Sequence, residues 1–173
     1  MRLNPYGEDP VRLAVDLLGN PPRDPAELTE RCAHAGVALS GPCGQADLTE
    51  VRRFLERWQQ VVDTGEDTER ARLLNALLAE SSSYPRLTDH LGDGWHIHYR
   101  DDRLSAAGVV KALISVGTAV HLTGRGMHRL GRCALEECRA VFADFTRGGR
   151  QRYCSPGCAN RDAVRRHRAR RSG

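Results

Sequence analysis

The chain has 173 residues, a formal net charge of +4, and 40% hydrophobic but only 5% aromatic residues. That suits one medium domain with a Leu, Val and Ala core plus a small appendage. The longest apolar run, Val109 to Leu122, is broken by Lys111, Gly117 and His121, which argues against a membrane span, and the N-terminus lacks the apolar core of a signal peptide. The expected compartment is the cytoplasm, where thiols stay reduced and clustered cysteines favour metal over disulfides.

In chain order, Asp9-Pro10 and Asp24-Pro25 each place an N-cap aspartate before a proline at the first helical position. The first helix is expected over Pro10 to Leu18, with Val11, Val15 and Leu18 on one side, and the second over Pro25 to His34, with Cys32 facing the core. After a loop from Ser40 to Gly44, a longer helix from Leu48 to Val62 carries Val51, Leu55, Trp58 and Val62 in apolar register. Asp67 or Thr68 begins the next, with Leu73, Leu74, Leu77 and Leu78 as its stripe. Ser81 to Pro85 breaks the pattern. Trp95 to Tyr99 alternates like a short strand, Asp101-Asp102 turns the chain, and Ser105 caps an apolar helix reaching about Thr123.

Gly124-Arg125-Gly126 separates this body from a cysteine module. Cys133-x4-Cys138 and Cys154-x3-Cys158 are two close pairs with a hairpin-sized spacer, the pattern of a tetrahedral zinc site. The spacer is expected to be a strand over Val141 to Phe145, a turn over Thr146 to Arg150, and a returning strand over Gln151 to Tyr153. Ser155-Pro156 then opens a final helix to about Arg170. The fold class is therefore mainly α. A helical N-terminal domain of residues 1–124 carries a minor β element, and a treble-clef-like zinc module of β-hairpin and helix spans residues 129–173. Four cysteine ligands leave no position for water, so one Zn²⁺ has a structural role here. A redox-sensitive dithiol set is the rival reading. Arg132, Arg139, Arg152 and Arg161 are placed to answer the thiolate charge.

Residues 129–173 hold twelve Arg against four acidic residues, a net +8, while residues 1–128 are net −4. On the last helix Arg161, Arg165 and Arg168 share a face, with Arg166, Arg170 and Arg171 beside them. Such density suits phosphates, although a solvated face balancing the thiolates and the acidic body would look the same. Asn160 can pair with adenine or serve local hydrogen bonding. Upstream, His96 and His98 share one strand face. With Trp95 and Tyr99 they would line an effector pocket, or they are ordinary histidines on a half-exposed strand. There is no nucleophile elbow, phosphate loop or carboxylate pair, so no catalytic residue is expected.

From Arg129-Leu130 through Cys158-Ala159-Asn160-Arg161 the chain resembles the CGNR zinc-finger family. Phe142-Ala143-Asp144 and Arg150-Gln151-Arg152-Tyr153 match the family's Phe-x-Asp strand and Arg-rich return. His96-Ile97-His98-Tyr99 is similar to part of the ABATE domain that precedes the finger in that family. The resemblance implies a bacterial, stress-induced transcriptional regulator, not an enzyme, with a sensory N-terminal domain. Ala159 departs from the family's glycine. It is strained if that position needs a positive φ, and favourable if it lies in the first helical turn. The combined expectation is a homodimer that binds double-stranded DNA through Asn160, Arg161, Arg165, Arg166, Arg168, Arg170 and Arg171, with a small-molecule effector. The alternatives are an RNA- or protein-binding module with a polymerase-type partner, or an enzyme domain with an accessory finger.

Overall fold

A computed structural model describes residues 7–39, 41–89, 94–101 and 103–171. Ser40 of the expected loop and Asp102 of the expected turn lie outside these. Five helices make the N-terminal body: α1 (Glu8–Gly19), α2 (Pro25–His34), α3 (Gln45–Asp63), α4 (Asp67–Ser81) and α5 (Ala106–Arg125). Between α4 and α5 an antiparallel hairpin pairs β1 (Arg86–Thr88) with β2 (His96–His98), with Leu87 opposite Ile97. A 3-10 turn over Met127–Arg129 leads into β3 (Leu130–Arg132), which pairs with β4 (Val141–Ala143). The chain ends in α6 (Pro156–Arg171).

Helix α5 is the centre of the body. It is long and apolar enough to cross a membrane, yet 72% of its apolar stretch is buried, against α1, α3 and α4. Its Val109, Val110, Ile114 and Leu122 meet Val11 and Leu17 of α1, Val51, Leu55 and Trp58 of α3, and Leu74 and Leu77 of α4 in one core. The Trp58 indole donates to Thr118 Oγ1 at 2.8 Å, so its buried N–H is satisfied.

Local chemistry explains the helix starts. Asp24 caps α2 by accepting from the Glu27 N–H at 2.8 Å, and Ser105 caps α5 by accepting from Gly108 N–H at 3.1 Å. At α1 the cap is Gly7, not Asp9. Gly7 holds φ 63°, and a Cβ there would sit 2.2 Å from the Gly117 carbonyl oxygen, so the chain enters α1 pressed against α5. Asp47 is the third residue of α3, which begins three residues before the expected Leu48. Its carboxylate reaches back to the Gly44 N–H and across to the Ala107 N–H, both at 3.0 Å, joining the starts of α3 and α5. These backbone donors lower its pKa despite some burial.

The strand pairing differs from the sequence expectation. Val141–Ala143 pairs with Leu130–Arg132, so the hairpin encloses the first cysteine pair. Residues 151–153 form no strand. Their backbone goes elsewhere: Arg152 carbonyl accepts from Ala134 N–H at 2.8 Å, and Gln151 N–H donates to Asp144 at 2.9 Å.

Candidate metal centre and basic helix

The four cysteines come from two tight turns. Cys133 follows β3 and donates its N–H to the Ala140 carbonyl at 2.8 Å, while the Cys138 and Arg139 N–H groups both return to the Leu135 carbonyl. Closing that turn puts Arg139 at φ 50°, the single non-glycine residue with positive φ among those described. Cys154 lies two residues before α6, and Cys158 is the third residue of the helix. The Cys158 N–H donates to Ser155 Oγ at 3.2 Å, so Ser155 caps the helix as its position suggests. Leu135 is fully buried beneath the cluster with Cys133 and Cys158, flanked by Tyr153.

All four Sγ atoms lie within 4.8 Å of one another. Cys138 and Cys154 are 3.7 Å apart, and Cys154 and Cys158 are 3.6 Å apart. A tetrahedral Zn²⁺ with bonds of about 2.3 Å sets its sulfurs roughly 3.8 Å apart. The donor set therefore fits one zinc ion held by Cys133, Cys138, Cys154 and Cys158, and the spacing is far too long for disulfides.

The electrostatics favour thiolate at the helix start. The Ser155 hydroxyl first, and then Arg161, lower the pKa of Cys158 to about 6, whereas burial and the neighbouring thiols raise that of Cys154. Arg161 donates to Cys158 Sγ at 3.1 Å. Of the four arginines expected around the sulfurs, Arg161 is the one with a described contact to sulfur. Arg132 instead makes a two-pronged pair with Asp63 of α3, at 2.7 and 2.9 Å.

A buried carboxylate that composition alone would not pick out organises the helix. Asp162 accepts from the Tyr153 hydroxyl at 2.6 Å and from Arg165 at 2.9 Å, and forms an ion pair with Arg166 at 2.9 Å. The tyrosine bond first, then the arginines, hold its pKa low against burial. Arg165 also reaches Glu136, 3.3 Å away in the cysteine turn. Arg165 thus ties α6 to the cysteine turn, Arg161 sits against a ligand sulfur, and Arg166 pairs with Asp162 within the helix. Asn160, Arg168, Arg170 and Arg171 are exposed. Asn160, Arg161, Val164, Arg165 and Arg168 line a shallow groove of about 480 Å³, opposite Glu137. Ala159 is helical, its N–H donating to the Ser155 carbonyl at 3.2 Å, so alanine carries no backbone strain there.

A second carboxylate builds the turn before Cys154. Asp144 accepts from Thr146 N–H at 2.8 Å and from Gln151 N–H at 2.9 Å, and lies 3.5 Å from the buried Arg129 guanidinium. Burial raises its pKa, but the Thr146 and Gln151 hydrogen bonds more than offset this. Arg129 also donates to the Arg125 carbonyl at 2.8 Å. Gly149 at φ 64° leaves room for it, since a Cβ there would stand 2.8 Å from the guanidinium carbon. The hairpin is seated on the helical body through Leu130 and Ala143, which belong to the main core. Phe145 packs beneath the Arg12 guanidinium at 3.9 Å. Arg70, buried in α4, donates to the carbonyls of Val61, Thr64 and Met127, fastening the α3–α4 turn to the start of the module.

In the β1–β2 hairpin, His96 and His98 converge on one face with Nε2 atoms 3.1 Å apart. Trp95 is 74% exposed, as is much of Ile97, on the opposite face from the histidines. Tyr99 is half-buried, and its carbonyl accepts from Ser83 N–H at 2.7 Å.

A five-helix body joined to a four-cysteine centre that fits zinc defines a mainly helical protein with a zinc-finger module. Residues 11–149 match the family described as "Putative stress-induced transcription regulator", the ABATE family, and residues 129–171 match the CGNR zinc finger. The chain belongs to the ABATE family and carries a CGNR zinc finger. No curated protein matches it significantly.

Proposed function

We propose that the protein is a bacterial transcriptional regulator that binds double-stranded DNA through α6, as a homodimer, with residues 1–124 as its sensory unit and residues 129–173 as its DNA-contacting unit. The observation that carries this reading is the exposed basic end of α6, projected from a metal-fixed helix start. Arg168, Arg170 and Arg171 supply phosphate contacts, and Asn160 and Arg165 lie in the groove where a base edge would enter. Arg161 and Arg166, held by Cys158 and Asp162, act as positioning residues and add to the field. One 16-residue helix offers a small contact, which favours two copies on a two-fold site. An effector would act at the β1–β2 hairpin face that carries His96 and His98; Trp95, exposed on the opposite face, is not part of that face.

The test is DNA binding as a function of salt. The wild type should bind chromosomal fragments with a steep salt dependence, and removing one arginine–phosphate pair should flatten the log–log slope by about 0.9. The variant carrying Arg168→Ala, Arg170→Ala and Arg171→Ala should therefore lose between two and three units of slope while retaining its zinc. Equal binding by wild type and variant, or binding to RNA alone, would remove the DNA reading.

A further inference from the structure

We propose that His96 and His98 form a second metal site, taking a divalent first-row ion through their two Nε2 atoms. The site is separate from the cysteine quartet: the histidines stand on the β1–β2 hairpin, whereas the quartet is built on the β3–β4 hairpin and α6. The idea that metal acts as an effector rests on the sensory reading above. Occupancy of the pair does not.

Three observations carry it. Residues i and i+2 of a strand point to one face, and here the rings tilt together, with centroids 4.9 Å apart and planes at 63°. The Nε2 atoms are 3.1 Å apart. Two imidazole nitrogens bound at about 2.1 Å to one ion stand roughly 3.0 Å apart at a right angle and about 3.4 Å apart at a tetrahedral one, so the observed spacing already fits neighbouring positions on a single ion.

The third observation fixes a tautomer. His96 Nδ1 lies 2.9 Å from the Gly94 carbonyl oxygen. A carbonyl can only accept, so Nδ1 carries the hydrogen and Nε2 presents its lone pair toward His98. A backbone carbonyl holding the far nitrogen of a histidine is the outer contact that ligating histidines commonly have. An ion between the rings would replace the present N–H···N bridge with two N–metal bonds, the proton on His98 Nε2 moving to Nδ1 or to solvent as the ion enters.

The surroundings set the strength. Arg86 stands directly opposite His98 in the ladder, and Thr88 opposite His96. The Arg86 guanidinium donates to the Arg100 carbonyl at 3.0 Å and lies 5.9 Å from the Tyr84 ring. Two neutral imidazoles hold an ion less tightly than four thiolates, which makes this site weaker than the quartet and exchangeable. Imidazole suits Ni²⁺, whereas the thiolates retain Zn²⁺.

The experiment is calorimetric titration of Ni²⁺ into the full-length, zinc-loaded protein. One further ion per chain should bind, and the His96→Gln/His98→Gln double variant should weaken that binding by at least about tenfold. Absence of binding in the wild type, or equal binding by the variant, overturns the proposal. Because the substitutions could disturb the hairpin, a second measurement uses the wild type alone. Paramagnetic Ni²⁺ should first broaden the ring signals of His96 and His98, and broadening that begins at other histidines overturns the site. DNA affinity measured with and without Ni²⁺ separates the two claims: an occupied pair with unchanged affinity keeps the site and removes the effector role.

Discussion

The helical body and the module after Cys133 are built on different economies of burial. Helices α1–α5 completely bury Trp58, Leu28, Leu48, Ile114 and Val51 in one continuous core. From Cys133 onward the separate buried cluster is Cys133, Leu135 and Cys158, two of which are thiols. Segments of about forty residues rarely fold on burial alone, and a structural zinc contributes its binding energy directly to folding. Side chains on α6 accordingly turn to charge: three arginines converge on Cys158 and Asp162, not on an apolar face. One region can lose any single ion pair, whereas the other depends on one ion.

Metal removal is the largest way to break that contrast. A strong chelator under reducing conditions should melt α6 and the cysteine turns, at an expected loss on the order of 10 kcal/mol of local stabilisation. The helical circular-dichroism signal should fall by no more than the share of α6, and the emission of the buried Trp58 should stay unchanged. Exposure of Trp58 on chelation would mean that the hairpin, through Leu130 and Ala143, is an indispensable part of the main core.

The converse change attacks the helical body. Trp58→Ala empties the centre of the core and leaves Thr118 without its indole partner. The expected cost is about 3–5 kcal/mol, seen as a lowered denaturation midpoint. Zinc content measured at a temperature where the variant is still folded should remain one ion per chain. A loss of zinc in parallel with loss of the core would erase the distinction between the two regions.

This contrast also accounts for what the sequence could tell. Local chemistry was legible: Asp24 and Ser105 cap their helices through their own side chains, and the cysteine spacing announces the quartet without any knowledge of the rest. The apolar registers of α3 and α4 read correctly because burial repeats with the helical period. Non-local choices were hidden. The spacing predicts that the strand at Val141 pairs with Gln151–Tyr153, but it pairs with Leu130–Arg132, where Asp144 holds Thr146 and Gln151 in a turn and Arg129 fills the space beside Gly149. The roles of Arg161, Arg165 and Arg166 were equally hidden, since an arginine bracing Asp162 and one facing solvent are spelled alike. One available signal was Asp162 itself, the sole acidic residue in the basic helix.

The smallest effect concerns the seam. Asp63 on α3 and Arg132 on β3 form the ion pair that joins the two regions, but Asp63 is 41% exposed, so solvent screening holds its worth to roughly 0.2–1 kcal/mol. The Arg132 hydrogen bond lowers the Asp63 pKa below its ordinary 3.8, against burial, which raises it, and the Arg132 charge adds to the lowering. A carboxyl whose folded pKa is lowered contributes fully above its unfolded value and loses that contribution as pH falls through the folded one. Asp63→Asn should therefore carry the same small penalty at pH 7 and at pH 5, shrinking only below about pH 4. Protonation of the zinc thiolates follows a different course, because it acts on wild type and variant alike and leaves their difference unchanged while the module stays folded. Denaturation of both proteins across that range checks the point. A penalty that vanishes by pH 5.5 would mean that the metal centre, not the Asp63–Arg132 pair, holds the module against the helices.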